Sequence, residues 1–505
     1  MFLYDFMVQF RMINSTDAIP NKDDYNLVPY APVWGPFNAV SVRLCSELTD
    51  RIMTHSGLAD RPSSRAKMMI ASASALYQMQ LVKKKHALPK DCFLGVVMKA
   101  SAWSRYPAVG RVLGIRVLKA LESFGVLTQV PNSGSSNLRN DKETGYLKST
   151  KLMTLYVVNL DLLPNDLDEC RFVQEHLPLV KVNTLETRPQ RDLRKKRKLS
   201  TPSLSIKKCK DEFGDSFIKQ QRRIESLNSY LRKHPLVLPE GHAAASVTRV
   251  FHDGSLTSGG RLYGRHTTRD SNLRIESQID GEDICQIDIR ASQPILLSFL
   301  LGEPINNVAE NGRFWDVYIQ LTNLWSYGQG TTKEFTKRAR GMAKGFIMEI
   351  IGTGNINKSS PSKELREKLS ITNDEWNLFR ERLVYVLPAL KRLAPRYASN
   401  GQVTGYINGA GFLSFHESEI MLITLERLMG LNVPAYPVHD CLIVKKSGAK
   451  VAIETFRSSI SDYVQKLTGN TNTLIIAPLT METKETKIPQ YPFNGDYLGG
   501  TYRLS

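Results

Sequence analysis

The sequence predicts an α+β protein in which a helical N-terminal module precedes a larger unit built around an antiparallel sheet. Short apolar runs separated by the turn dipeptides Asp253-Gly254 and Asp280-Gly281 predict consecutive antiparallel strands between residues 249 and 288. Longer runs with apolar residues at helical spacing predict the helices. A length of 505 residues with 42% hydrophobic residues allows two to four domains with a sizeable core.

The N-terminal third predicts helices followed by a hairpin. Residues 1–60 form a segment of unknown role that includes one helix, which Asn38 would cap. Residues 61–165 have a winged-helix-like order of helices followed by strands around a polar loop, and Gly125 is expected to end the last helix. The expected helices are 39–55, 64–80, 93–102 and 109–124, and the expected strands are 126–130 and 152–160 around a loop at 131–148.

Basic residues of the last of these helices predict contact with DNA. Arg111, Arg116 and Lys119 put positive charge where it would face phosphates or the major groove. The alternative is a packing domain with a basic face that is merely solvated. Residues 166–240 are then expected to be a basic linker, with a helical stretch at 211–233 that would pack along a duplex backbone.

Two aspartates at the edges of apolar strands mark the candidate catalytic centre. Asp288 ends the strand at 284–288, and Asp440 follows an apolar stretch far downstream. Two carboxylates that meet on neighbouring strands suit a pair of Mg²⁺ ions, because these cations prefer oxygen ligands and keep open positions for substrate phosphates. At each position a plain turn aspartate at the end of a strand is the alternative.

Between the aspartates, residues 333–348 have a helical pattern with one basic stripe. Lys333, Lys337, Arg340 and Lys344 fall at i, i+4, i+7 and i+11, and the apolar residues lie elsewhere on the helix. Such a stripe suits a triphosphate. Together with the aspartates, it predicts a nucleotidyl-transfer site.

The order of strand-aspartate, Arg340-Gly-Met-Ala-Lys344 helix and His439-Asp440 hairpin resembles the three polymerase motifs of family A DNA polymerases. Single-subunit phage-type RNA polymerases share the palm and fingers of that family. The resemblance begins near residue 249 and implies a right-hand palm with an antiparallel sheet and helical fingers over residues 241–505. It also makes the helical stretch before residue 240 a candidate small thumb.

The resemblance further implies roles for individual residues. Asp288, Asp440 and the backbone carbonyl of Ile289 would hold two Mg²⁺ ions, with Mn²⁺ as an alternative ion. The triphosphate would be bound by Arg340 and Lys344, and the nucleotide site would also include Gln293 and Met348.

Four further residues have more than one interpretation. His439 is expected to contact the primer rather than a metal. Arg261 would approach the primer or template beside tandem glycines, unless those glycines serve only a hairpin turn. Glu417 and Glu419, expected at the start of a helix, would complement its dipole, and a role near the metals is the alternative.

Three positions depart from the family pattern. Ile351 stands, one residue early, where the helix motif carries a tyrosine, and Cys441 stands where the DNA polymerases commonly have a second acid. Gln293 replaces the glutamate that blocks a ribose 2′-hydroxyl. Because glutamine has nearly the volume of glutamate, the sequence predicts dNTP preference with measurable ribonucleotide insertion.

Composition sets the remaining expectations. A net charge of +18 favours a polyanionic partner, for which nucleic acid is the first candidate. Six scattered cysteines without a Cys-x-x-Cys pair argue against a disulfide framework and a structural zinc site. No apolar run approaches the ~20 residues of a membrane span and no signal peptide is apparent, so a cytoplasmic protein without membrane contact is expected.

These inferences converge on a template-directed nucleotidyltransferase. The first candidate is a DNA polymerase without proofreading, acting in the replication of a phage, plasmid or mobile element. Its partners would be a DNA primer-template, dNTPs and other replication proteins. The alternatives are a primase or RNA polymerase on the same scaffold, and a DNA-binding replication initiator with an inactive palm.

Overall fold

The computed structural model confirms the α+β class, with helices packed on largely antiparallel sheets. In the described part of the chain, no helix combines the length and the apolar character needed to cross a membrane. The structure describes residues 26–86, 92–96, 98, 103, 106, 108–130, 154–186, 188–196, 201–301, 318, 333–392, 396–397, 403–405, 409–469 and 478–490.

The elements of these residues are numbered in chain order. The α-helices α1 to α12 are Ala39–His55, Pro62–His86, Gly110–Ser123, Arg188–Lys196, Ile206–Leu231, Ser271–Arg274, Ser292–Leu300, Lys333–Thr353, Lys363–Leu369, Asn373–Val386, Gly409–Gly430 and Ala449–Thr468. The strands β1 to β19 are Asn26–Pro29, Trp34–Pro36, Cys92–Val96, Leu127–Gln129, Thr154–Val158, Phe172–Gln174, Val180–Val182, Leu236–Val237, Ala243–Ala244, Thr248–Phe251, Gly259–Tyr263, Gln278–Ile279, Glu282–Ile289, Arg396–Tyr397, Val403–Gly405, Ala435–Val438, Cys441–Lys445, Leu479–Glu482 and Lys487–Gln490.

The N-terminal helices accompany a four-stranded sheet with the order β1-β3-β5-β4. β5 runs antiparallel to both of its neighbours, and β1 runs parallel to β3. The predicted cap of α1 is confirmed, because the Asn38 side chain accepts a hydrogen bond from the Ser41 amide at 3.0 Å. Gly125 follows α3 with a φ of +73°, as a C-terminal cap requires. The polar loop expected at 131–148 lies outside the described residues.

The helix predicted at 93–102 is wrong at its start. Residues Cys92–Val96 form β3, which pairs with β1 and β5 and is buried along its whole length. A short apolar run that is buried on all sides has no periodicity that separates a strand from a helix.

The larger unit is organised around a ten-stranded sheet with β13 near its centre. β13 pairs antiparallel with β17 along one edge. Along the other edge it pairs with β12 near its start and with β18 near its end. Ile284, Cys285 and Ile287 of β13 are fully buried, so the strand that ends at the candidate site is held from both sides.

The described part of residues 166–240, where a basic linker was expected, contains paired strands and a long helix. β6 pairs with β2 and β9, and β7 pairs with β10. α5 buries Phe217, Ile224 and Leu231 in the core of the larger unit. Three-residue strands between basic runs carry too little pattern to be recognised in the sequence, because strand formation here depends on pairing with distant segments. The proposed division of the chain into domains remains a prediction.

Two other boundaries also differ from the sequence analysis. Residues 274–279, expected as one strand, contain the end of α6 and the short β12. α11 begins at Gly409 rather than at His416, so Glu417 and Glu419 lie about two turns inside the helix and do not complement its N-terminal dipole. A Cβ at Gly409 would lie 2.4 Å from the Ile351 carbonyl oxygen, so close packing requires a glycine at the start of this helix.

The hairpin formed by β10 and β11 lies directly against α11, and Gly260 makes this contact possible. Gly260 has a φ of +82°, and a Cβ on it would lie 2.8 Å from the Ser418 hydroxyl oxygen. Gly281 has a similar φ of +76°, but a Cβ there would meet nothing within 4 Å. The two glycines therefore have similar φ angles and differ in packing.

Replacing each glycine by alanine separates these two effects. Gly281→Ala should lower the free energy of unfolding by about 1–2 kcal/mol, the cost of a side chain in left-handed backbone. Gly260→Ala should cost about 1–3 kcal/mol more, because the methyl group also overpacks the contact with α11. Urea unfolding of both variants measures the difference, and equal losses would contradict the close contact.

Candidate functional site

Asp288 and Asp440 lie beside each other where two paired strands meet a turn. In the pairing of β13 with β17, Asp288 is opposite Cys441. The Ile289 amide donates a hydrogen bond to the Asp440 carbonyl oxygen at 3.4 Å. Asp440 and His439 form the turn between β16 and β17, with His439 in the left-handed region at a φ of +60°. The register of one strand pair thus brings the two predicted carboxylates together.

Both aspartates line one cavity of about 560 Å³. Cationic side chains from three separate segments line it as well: Arg261 from β11, Arg290 after β13, and Arg340 and Lys344 from α8. Two acids surrounded by four cations suit a strongly anionic ligand that is bound together with metal ions.

α8 faces the cavity with its basic side because its apolar side is buried. Met342, Phe346 and Ile350 have no exposed surface. The Phe346 ring stacks on Trp376 and Phe379 of α10, with centroids 4.3 Å and 4.6 Å apart. This packing fixes the rotation of the helix about its axis.

The opposite side of α8 carries the residues that were predicted to bind the triphosphate. Arg340 and Lys344 are exposed and line the cavity, as does Met348. The Arg340 guanidinium also lies 5.2 Å from the centre of the Tyr318 ring, within the range of a cation–π contact. The side chains of Lys333 and Lys337 lie outside the described residues.

Gln293 lies in the first turn of α7, directly beyond Asp288. The chain enters this helix through Ala291, which has a φ of +51° and makes no side-chain cap. Gln293 lines the cavity, is 8% exposed, and its Oε1 has no hydrogen-bond partner among the described residues. Ile351, one of the three positions that depart from the polymerase motif pattern, is fully buried in the core.

The donors at the aspartate end of the cavity fit a hard divalent cation. They are the Asp288 and Asp440 carboxylates and the backbone carbonyl of Ile289, whose residues all line the same space. The described residues contain no group of three or more His, Cys, Asp or Glu side chains that would enclose an ion. Mg²⁺ commonly binds through one or two carboxylates plus water and substrate phosphates, and this donor set suits that mode.

Glu417 approaches the site from α11, although the sequence analysis favoured a role at a helix terminus. It is 3% exposed, its Oε1 accepts a hydrogen bond from the Arg261 Nε at 2.8 Å, and the same oxygen forms an ion pair with the Arg261 Nη2 at 2.7 Å. Its Oε2 accepts one from the Ser292 hydroxyl at 3.2 Å. Burial raises the pKa of Glu417 to about 7, with the Asp440 charge adding to the rise and Arg261 opposing it.

His439 is partly buried beside the cavity. Its ring lies edge-on to Tyr263, with centroids 5.5 Å apart, and its Nδ1 has no hydrogen-bond partner among the described residues. Burial, with help from the charge of Arg261, lowers the pKa of His439. A neutral imidazole here can donate one hydrogen bond and accept another.

Arg111, Arg116 and Lys119 share a second, separate concavity in the N-terminal unit. It has a volume of about 430 Å³ between α3 and the end of α1, where His55 and Ser56 also line it. The Arg111 Nε donates a hydrogen bond to the Met98 carbonyl at 3.0 Å, so this guanidinium is partly fixed. The three predicted basic residues therefore form one surface, which we call the α3 groove.

Several cavity residues were missed by the sequence analysis. Arg290 lies two residues after Asp288, and the alternation of side chains along a strand would have put both on one face. Thr480 had no such signal, because it reaches the cavity from a distant segment.

Comparison with known proteins adds little to this geometry. No protein-family model matches the sequence, and no curated protein matches it. One similar solved structure is the POL domain of Pol1 from M. smegmatis in complex with DNA primer-template and dNTP. Sequence identity is 11%, the TM-score is 0.31, and the match covers 59% of this chain and 57% of that one, less than two thirds of its length. The likeness is too slight to establish the fold or the chemistry of this chain, so both are argued from its own residues.

The raised pKa of Glu417 makes the stability of the metal-free protein depend on pH. Between its ordinary value of 4.5 and about 7, the folded state keeps a proton that the unfolded state releases. Stability is therefore full below pH 4.5 and falls as pH rises to 7, by on the order of 3 kcal/mol. Glu417→Gln does not titrate, so its stability relative to the wild type should rise across this window.

Urea unfolding in the presence of EDTA at pH 5 and pH 8 measures this difference. Glu381→Gln, which changes an exposed glutamate of α10, is the matched control and should follow the wild type at both pH values. If the difference between Glu417→Gln and the wild type is the same at both pH values, Glu417 does not have a raised pKa.

Proposed function

We propose that this chain is a template-directed nucleotidyltransferase, and specifically a DNA polymerase without proofreading. The observation that carries the proposal is the meeting of Asp288 and Asp440 in a cavity that Arg340 and Lys344 line from a separate helix. Acids from a sheet and cations from a helix are what joining a primer hydroxyl to a nucleoside triphosphate needs. The net charge of +18 also suits a nucleic acid partner.

Each group of residues has a distinct task in this proposal. Asp288, Asp440 and the Ile289 carbonyl would hold two Mg²⁺ ions, which when bound lower the pKa of the primer hydroxyl and stabilise the pyrophosphate leaving group. Arg340 and Lys344 would orient the triphosphate so that its α-phosphorus faces that hydroxyl in line. Arg261 and His439 would contact the primer-template on the other side of the aspartates.

The N-terminal unit would hold duplex DNA through the α3 groove. Its sheet order β3-β5-β4, with α3 before the β4–β5 hairpin, is the arrangement expected of a winged helix. Exposed Val112 lies between the basic residues of α3 and is 74% accessible, so the groove offers both charge and an apolar contact. A protein of this kind would serve replication of a phage, plasmid or mobile element.

One feature favours a primase or RNA polymerase as the second candidate. Gln293 lines the cavity and carries an acceptor oxygen without a partner among the described residues. A ribose 2′-hydroxyl could therefore donate a hydrogen bond to this oxygen. The nucleotide sugar is thus the property that separates the two candidates.

Removing either aspartate tests the reaction itself. Asp288→Ala and Asp440→Ala should each abolish nucleotide incorporation in a primer-extension assay with Mg²⁺, because each loses a metal ligand. DNA binding should persist, since the cations that contact DNA are unchanged. Asp283→Ala is the matched control, because Asp283 lies at the other end of β13 and pairs with Lys484 at 3.1 Å. Normal extension by either cavity variant would refute the two-metal assignment.

The sugar preference tests the choice between the two candidates. The wild type should incorporate dNTPs better than rNTPs but with measurable ribonucleotide insertion, and Gln293→Ala should increase that insertion because it removes bulk beside the sugar. Parallel extension with each nucleotide set gives the ratio, and Gln278→Ala on β12 serves as the control. Better incorporation of rNTPs by the wild type would select the primase or RNA polymerase.

The α3 groove is tested by the salt dependence of DNA binding. Alanine at Arg111, Arg116 or Lys119 in the full chain should weaken binding and reduce the slope of log affinity against log salt by about 0.9 for each lost phosphate contact. Fluorescence anisotropy with labelled duplex DNA measures both quantities. Lys67→Ala, an exposed cation of α2 that does not line the groove, should leave the slope unchanged. If the groove variants behave like Lys67→Ala, the groove does not contact DNA.

A further inference from the structure

Three consecutive residues of α11 each bind the β10–β11 hairpin. Glu417 binds Arg261, and the Ser418 hydroxyl contacts the Gly259 carbonyl at 3.2 Å. Glu419 accepts a hydrogen bond from Nη2 of Arg249 at 2.6 Å. Contacts at three successive positions allow only one register between the helix and the hairpin.

A buried network of ion pairs also holds the β10–β11 hairpin in place. Arg249 has no exposed surface, and its Nε donates to the Gly260 carbonyl at 2.9 Å. Glu419 also accepts a hydrogen bond from Arg223 of α5 at 2.9 Å. Arg223 donates a second one to Glu426, about two turns further along α11. Because an unpaired buried charge is strongly unfavourable, these groups must keep their partners. The strand that carries Arg261 therefore has little freedom to move.

Within this rigid setting, Glu417 determines where the Arg261 guanidinium points. Its Oε1 binds both Nε and Nη2 of Arg261, while its Oε2 binds Ser292, the first residue of α7 after Asp288. Glu417 does not line the large cavity, whereas Arg261 does. The carboxylate thus connects the arginine to the segment that carries the first aspartate, without reaching the substrate space itself.

The Glu417–Arg261 pair leaves donors on the arginine that can bind a nucleic acid strand. A guanidinium has five N–H donors in a fixed plane, so binding through Nε and Nη2 leaves the Nη1 donors for another acceptor. The attached glutamate also prevents the guanidinium from turning toward Asp288 or Asp440 and pairing with them instead.

We propose that Glu417 is a positioning residue that holds Arg261 at the cavity wall beside Asp440, so that the guanidinium meets the primer strand. This inference rests on the proposed polymerase function. A glutamate at this position fixes both the direction and the local charge of the arginine, which a neutral side chain of the same size achieves only in part.

A double-mutant cycle in the full-length protein tests the link. Primer extension with a DNA primer-template is measured for the wild type, Arg261→Ala, Glu417→Ala and the double variant. Each single variant should raise the KM for primer-template by about tenfold, the effect of one lost charge-assisted contact. The KM for dNTP should change much less. Because Glu417 acts through Arg261, the double variant should be no worse than Arg261→Ala.

Two further variants separate positioning from a general structural role. Glu417→Gln keeps an acceptor for Arg261 and should recover part of the primer-template KM. Asp462→Ala removes an exposed carboxylate that pairs with Arg427 near the end of the same helix, outside this network, and it should leave this KM unchanged. Multiplicative effects in the double variant, or equal rises in the KM for primer-template and for dNTP, would overturn the proposal.

The outcome is distinguishable from failure of the proposed function. If the wild type extends no primer, the polymerase proposal fails. The same four proteins are then compared by anisotropy for the Kd of labelled primer-template. Non-additive increases in Kd would still support the link between Glu417 and Arg261. Additive increases, or no increase, would overturn it.

Discussion

The register between β13 and β17 is the constraint on which the candidate site depends. Side chains alternate along a strand, so a slip by one residue would turn Asp288 away from the cavity and bring a buried apolar neighbour into it. The register is secured away from the site, where Ile284 and Ile287 are fully buried. Gln286, also buried, accepts a hydrogen bond from the buried Arg274 at 2.9 Å. Because Arg274 belongs to α6, this hydrogen bond also holds β13 against a segment outside the β17 pair, and breaking it would leave a buried donor without that acceptor.

The other components reach this strand pair from helices whose own orientation is set by packing. α8 can present Arg340 and Lys344 to the cavity only because Phe346 on its other side is stacked between the rings of α10. α11 buries its own apolar residues in the core and in addition forms ion pairs with β10 and β11. One wall of the cavity is therefore positioned by apolar contacts, and another by apolar contacts together with a second type of contact, buried charges. Only the second type of contact depends on ionisation, which ties the geometry around Arg261 to pH.

The sequence predicted those features that depend on local pattern. The capped helix α1, the helix α8 and the strand β13 all have periodicity or capping signals within a few residues. The sequence analysis failed where the decisive interaction joins residues that are distant in the sequence. β3 is a strand because β1 and β5 flank it. Glu417 faces Arg261 from within α11, because this helix begins about two turns before its predicted start. Neither cause is visible in a window of neighbouring residues.

The same distinction applies to the connection between the two halves of the chain. A basic stretch suggested a loose tether, yet the halves meet through packed side chains. The Arg265 guanidinium lies 5.0 Å from the Trp34 ring centre and 5.5 Å from that of Tyr77, both in the N-terminal unit. The next residue, His266, is fully buried and its Nε2 is 2.9 Å from the Pro437 carbonyl oxygen, three residues before Asp440. Two adjacent residues thus contact the N-terminal unit on one side and the strand leading to the aspartate turn on the other. DNA held by the α3 groove would therefore be held by a unit that packs directly on the structure supporting the aspartates.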